Sequence, residues 1–158
     1  MTSIQSVTLD ELASSFDNKG FDLFMEERIE SSISVEETII AALIKKQPRL
    51  IEGIPTLITK NNINYDYLTS LVDNYKLWNE FGYFGEFAAN HLNEKKLNKL
   101  VEYCHNKLKP QANLYDYDLF KKFQKEEEKK WNLTGAPSYD SMKKQFKRYC
   151  NGKEIYKI

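Results

Sequence analysis

The chain has 158 residues, 23 basic and 23 acidic side chains, 41% hydrophobic residues and nineteen Tyr plus Phe (10 and 9). That is enough apolar material for one domain with a real core, and it excludes a disordered chain or one that needs disulfide or metal staples. Zero net charge hides a sorted distribution: residues 1–37 hold nine Asp/Glu against two Lys/Arg, and residues 141–158 hold one acid against six bases. An acidic head and a basic tail can pair with each other or with separate partners.

The start, Met1 to Val7, lacks a basic region followed by an apolar stretch, and the longest aliphatic run, Ile39 to Ile44, is six residues. A cytoplasmic protein with neither export signal nor membrane span is predicted. Thr8-Leu9-Asp10-Glu11 reads as a capping box, with Leu9, Leu12 and Phe16 on one side of the helix that follows and a stop at Asn18-Lys19-Gly20. Phe21 to Met25 restarts an apolar face before the break at Glu30-Ser31-Ser32, so residues 1–33 are predicted as an acidic helical arm.

Ser34-Val35-Glu36-Glu37 is a second capping box, and Ile39, Ile40, Leu43 and Ile44 follow at helical spacing. Pro48 ends that helix or opens the next. In Arg49 to Lys60, Gly53 and Pro55 set a kinked helix against a short strand at Thr56–Thr59, and the helix is the favoured reading. Asn64 caps a helix striped by Leu68, Leu71, Val72 and Tyr75. Phe81, Phe84, Ala88 and Leu92 stripe the next, and Leu97, Leu100, Val101 and Cys104 the one after. Short links imply antiparallel packing of a central bundle over residues 34–106.

Lys107 to Asn113 reads as a corner. Residues 114–150 then form a helical hairpin: Leu119, Phe120 and Phe123 begin one helix, whose second half, Lys125 to Lys130, is charged nearly all round and is expected to be solvated or to lie against a partner. Gly135-Ala136-Pro137 breaks the chain, Ser138 caps the last helix, and Tyr139, Met142, Phe146 and Tyr149 line its inner face. The fold class is all-α, a multi-helix bundle of short antiparallel helices with an acidic amino-terminal arm and a basic carboxy-terminal helix.

The last helix leaves Lys143, Lys144, Lys147 and Arg148 on its outer face, a row suited to phosphate contact and the basis of an alternative nucleic-acid-binding reading. Glu26, Glu27 and Glu30, with Glu36 and Glu37, read as dense acidic surface. The six aromatics from Tyr75 to Phe87 read as core packing, with a partner groove second. His91, Cys104 and His105 are the obvious ingredients for nucleophilic or metal chemistry and the basis of a third, enzymatic reading, but they lack the base, the thiol activation or the four-ligand spacing such sites need. The two cysteines read as buried free thiols. No Gly-rich phosphate loop or dinucleotide fingerprint is present, so no cofactor, no metal and no catalytic residue is expected.

Pro48-Arg49-Leu50-Ile51-Glu52-Gly53-Ile54-Pro55, the Leu68…Leu71…Tyr75 helix and Phe81-Gly82-Tyr83-Phe84-Gly85-Glu86 resemble helical regions of prokaryotic toxin–antitoxin and abortive-infection regulatory proteins, particularly antitoxins paired with nucleotidyltransferase-like toxins. The resemblance implies a non-catalytic regulator that binds another protein. The leading expectation is therefore a protein partner met by Glu26, Glu27, Glu30, Arg49 and Glu52.

Overall fold

A computed structural model describes residues 4–21, 23, 33–114 and 124–150. The chain is all-α: a 3-10 turn at Ile4–Ser6, then α1 (Leu9–Asn18), α2 (Val35–Lys45), α3 (Pro48–Ile51), α4 (Ile54–Lys60), α5 (Tyr65–Tyr75), α6 (Trp78–His91), α7 (Lys95–His105), β1 (Ala112–Asn113), α8 (Glu126–Lys130), β2 (Leu133–Thr134) and α9 (Tyr139–Tyr149). Among the described residues no helix is long and apolar enough to cross a membrane.

Local chemistry sets most helix ends. The Ser34 hydroxyl accepts the Glu37 N–H and the Glu37 carboxylate accepts the Ser34 N–H, closing the expected capping box at the start of α2. Thr8, Asn64 and Ser138 cap α1, α5 and α9 with their side-chain oxygens. Pro48 sits in the first turn of α3 and Pro55 in that of α4, where a missing N–H costs nothing; the kink between them is the turn at Glu52-Gly53. Residues 54–60 are accordingly helical, not a strand.

Two helices form the centre. Ile39, Ile40, Ala41, Ala42 and Leu43 of α2 are all fully buried, because α1, α3, α4, α5 and the 3-10 turn surround it. α6 packs against α4, α5 and α7 and buries Phe81, Tyr83, Phe84, Phe87 and Ala88. Within the acidic amino-terminal segment, residues 9–18 are part of this core: Leu12 and Phe16 are fully buried against α2 while Asp10 stays in solvent. A directed hydroxyl chain crosses that contact. Lys19 Nζ donates to Ser15 Oγ at 2.8 Å, Ser15 to Thr38 Oγ1 at 2.6 Å, and Thr38 to the Ser34 carbonyl at 2.7 Å, so these buried hydroxyls are satisfied.

The corner after α7 is more ordered than its composition suggests. β1 and β2 pair in parallel, Ala112 with Leu133 and Asn113 with Thr134. The buried Asn79 amide secures this pair to α6 by donating to the Lys109 and Trp131 carbonyls at 3.0 and 2.9 Å and accepting the Lys109 N–H at 2.9 Å. Among the described residues the strand content thus lies at 112–113 and 133–134, where local sequence gives little β signal and a tertiary contact decides.

Candidate functional site

The outer side of α9 is the clearest charged surface. Its inner side is anchored by rings: Tyr139 lies 5.1 Å from Tyr83 and 5.2 Å from Phe87, Phe146 lies 5.6 Å from Phe87, and Tyr149 lies 4.6 Å from Phe21. Met142 and Phe146 are buried. Helical periodicity then turns Lys144, Lys147 and Arg148 into solvent, with Lys143 half-buried at the margin. Among the described residues, none of the ion pairs includes these four bases.

Of the residues expected to meet a protein partner, Arg49 is exposed on α3, and Glu52, in the turn that follows, accepts the Ser141 hydroxyl at 3.0 Å. That bond sets the end of α3 against the first turn of α9. Glu26, Glu27 and Glu30 lie outside the described residues, as do Leu119, Phe120 and Phe123 of the expected hairpin.

Three acids that composition alone would leave in solvent work inside the fold. Glu36 is 6% exposed and accepts the Asn64 N–H at 3.0 Å, joining α2 to the cap of α5. Glu37 closes the capping box and accepts the Tyr67 hydroxyl at 3.1 Å. Glu128, 1% exposed, accepts the N–H groups of Lys125 and Ala136 at 3.0 Å each and pairs with Lys125 Nζ at 3.0 Å. The charged run from Lys125 to Lys130 is therefore neither wholly solvated nor in need of a partner: its central glutamate caps the helix and holds the loop before α9.

His91, Cys104 and His105 do not converge. α6 and α7 run antiparallel, so His91 and Cys104, each near the carboxy end of its helix, sit at opposite ends of the pair. His91 bonds the Phe87 carbonyl through Nδ1 at 2.8 Å and packs on Phe146. His105 stands edge-on to Trp131 at 5.3 Å. Cys104 and Cys150 are buried and neither is in a disulfide, as expected, and burial with the nearby Asp73 charge pushes the Cys104 thiol up to about 12. Among the described residues no group of three or more His, Cys, Asp or Glu is placed to hold a metal.

No protein-family model, curated protein or solved structure matches this chain.

Two features were not legible in the sequence. A groove of about 430 Å³ between α5 and α7 is lined by Tyr65, Asp66, Thr69, Lys96, Lys99, Leu100 and Tyr103. Burial and the Glu94 charge push the Tyr65 phenol beside it up to about 12. At its Tyr103 end, Asp73 accepts the Trp78 indole N–H at 2.7 Å and the Tyr103 hydroxyl at 2.6 Å. The available signal was Trp78 and Tyr103 falling off the buried stripes of their helices, which frees each ring for a surface role.

Proposed function

We propose that this chain is a non-catalytic prokaryotic interaction protein, antitoxin-like in its regulatory role, which captures an acidic face of a protein partner. The capture surface is the outer side of α9 joined to the exposed Arg49 of α3. The observation that supports the reading is the Glu52–Ser141 hydrogen bond. Lys144 and Arg148 follow Ser141 at i+3 and i+7, so they share one stripe of α9 with the residue that Glu52 holds. Bases on α3 and on α9 thus stand on either side of the junction that the Glu52 carboxylate makes. These bases have no acid partner among the described residues, so their charge is available to steer association.

The same unpaired row favours one second reading, nucleic-acid binding, in which these bases neutralise phosphates. Affinity capture from the native host with the wild type and with Lys144→Glu/Lys147→Glu/Arg148→Glu separates the two. A protein retained by the wild type after nuclease treatment, and lost from the variant, is the expected result. Nuclease-sensitive retention that falls steeply with salt would replace the protein reading by the nucleic-acid one, and undiminished capture by the variant would remove this face from both.

A further inference from the structure

Asp73 in the last turn of α5, Trp78 at the start of α6 and Tyr103 in the last turn of α7 bring three helix ends to one corner. The two hydrogen bonds to Asp73 fall on different oxygens, Trp78 Nε1 on Oδ1 and the Tyr103 hydroxyl on Oδ2, so the carboxylate is fixed and in turn fixes both rings. Burial alone would raise the Asp73 carboxyl, but the hydrogen bonds of Tyr103 and Trp78 and the charge of Lys107 outweigh it and hold it below the usual carboxylate range. The corner keeps its negative charge at neutral pH.

An ammonium already occupies it. Lys107 Nζ is 5.0 Å from the Tyr103 ring centre, 5.6 Å from that of Trp78 and 3.7 Å from Asp73 Oδ1. Two aromatic faces and a carboxylate around one cation combine cation–π attraction with direct charge, the arrangement by which alkylammonium groups are recognised. We infer that this corner is a binding site for the ammonium of a lysine side chain carried by a partner segment, and that Lys107 fills it in cis until the partner arrives.

Exchange is easy by geometry. The Lys107 side chain is 46% exposed and that of Asp73 36%, and exposed ion pairs of this kind contribute little to stability. Lys107 lies just past α7, where its backbone N–H bonds the Cys104 carbonyl at 3.0 Å, so the side chain can swing out without unwinding the helix. Tyr103 is also one wall of the α5–α7 groove, which offers a path for the chain that bears the incoming lysine. Lys96 and Lys99 outnumber Asp66 on that path and favour a segment with an acid beside its lysine.

The test follows the Trp78 indole N–H signal by NMR in the full chain, where the Trp131 indole is distinguished by its burial and its bond to Glu86. Wild type and Lys107→Gln are titrated with a blocked glycine–lysine–glutamate peptide and with tetramethylammonium chloride, against sodium chloride at equal ionic strength. The peptide should move the Trp78 signal saturably in Lys107→Gln. The wild type should need roughly tenfold more peptide, since its competent state is populated only when Lys107 leaves. Adding Asp73→Asn should abolish the response. No saturable shift in folded Lys107→Gln, or an equal shift with Asp73→Asn, would overturn the site; a response to tetramethylammonium without one to the peptide would overturn the partner segment as its occupant. The α9 face stands or falls separately.

Discussion

The six-membered ring of Trp131 fills the space that a side chain at position 82 would need. A Cβ built on Gly82 would lie 2.0 to 2.5 Å from three of its ring carbons. Asn79, Gly82 and Glu86 recur on one face of α6 and form a socket: Asn79 bonds the Trp131 carbonyl, Gly82 admits the ring and Glu86 accepts the indole N–H. This fully buried ring, with the β1–β2 pairing, attaches the segment from α8 to β2 to the bundle.

Gly82→Ala should therefore destabilise the fold by about 1–3 kcal/mol through overpacking, and Trp131→Ala by about 3–5 kcal/mol through the cavity it leaves. In the double variant the alanine methyl no longer meets a ring, so its cost should fall short of the sum by about 1 kcal/mol or more. Urea denaturation of the four proteins measures this; strict additivity would refute the contact.

Removing the Glu128 carboxylate leaves the Ala136 N–H, which it accepts from inside the fold, without a partner. Glu128→Ala should cost about 1.5–3 kcal/mol, the range for a hydrogen bond to a charged group. The exposed Glu126→Ala, which breaks only a pair with Lys129, should stay within about 0.5 kcal/mol of the wild type. Equal losses in the two would contradict the buried role of Glu128.

Glu80 is 5% exposed, and burial raises its carboxyl above 4.5 despite Lys109 at 3.7 Å. The native state then binds this proton more tightly than the unfolded chain does. Stability from this group falls as pH rises through the interval just above 4.5 and returns as pH is lowered through it. Glu80→Gln should accordingly be as stable as the wild type at pH 7 or more stable by up to about 1 kcal/mol, with the difference shrinking towards pH 4.5. Thermal melts across that range check it, and a gap that widened on acidification would show the opposite sign.

With its thiol buried and pushed up to about 12, Cys104 should resist a disulfide reagent at pH 8 in the folded protein and react at once in denaturant. Cys104→Ala should cost about 1 kcal/mol and leave partner capture intact. Loss of capture in a folded Cys104→Ala protein would reopen a chemical role for the thiol.

What could be read from the sequence was local. The Ser34–Glu37 box, the Ser138 cap and the stripes of α5, α6 and α9 are written within one or two turns, and so is the basic row from Lys143 to Arg148. Contacts between distant positions were not legible. Nothing near Glu36 or Glu128 in the chain announces that Asn64 or Ala136 will take its carboxylate, and Gly82 gains meaning only from a ring 49 positions later. The Asp73 corner was hidden for the same reason, being assembled from the ends of three helices. Charge counting placed Glu36 at the surface because composition carries no information on which acids become caps.

Trp78 and His91 are the first and last residues of α6, which makes that helix a ruler. Its fourteen residues set the ammonium corner at one end about 20 Å from the ring packing under α9 at the other, at 1.5 Å of rise per residue. That far end is closed core, Phe87 and Phe146 each being 1% exposed, so a ligand at the corner reaches the α9 end only over the outer side of α9. Only a ligand with a backbone of its own can touch both at once, and joining two weak contacts across a fixed span would raise its affinity without strengthening either one.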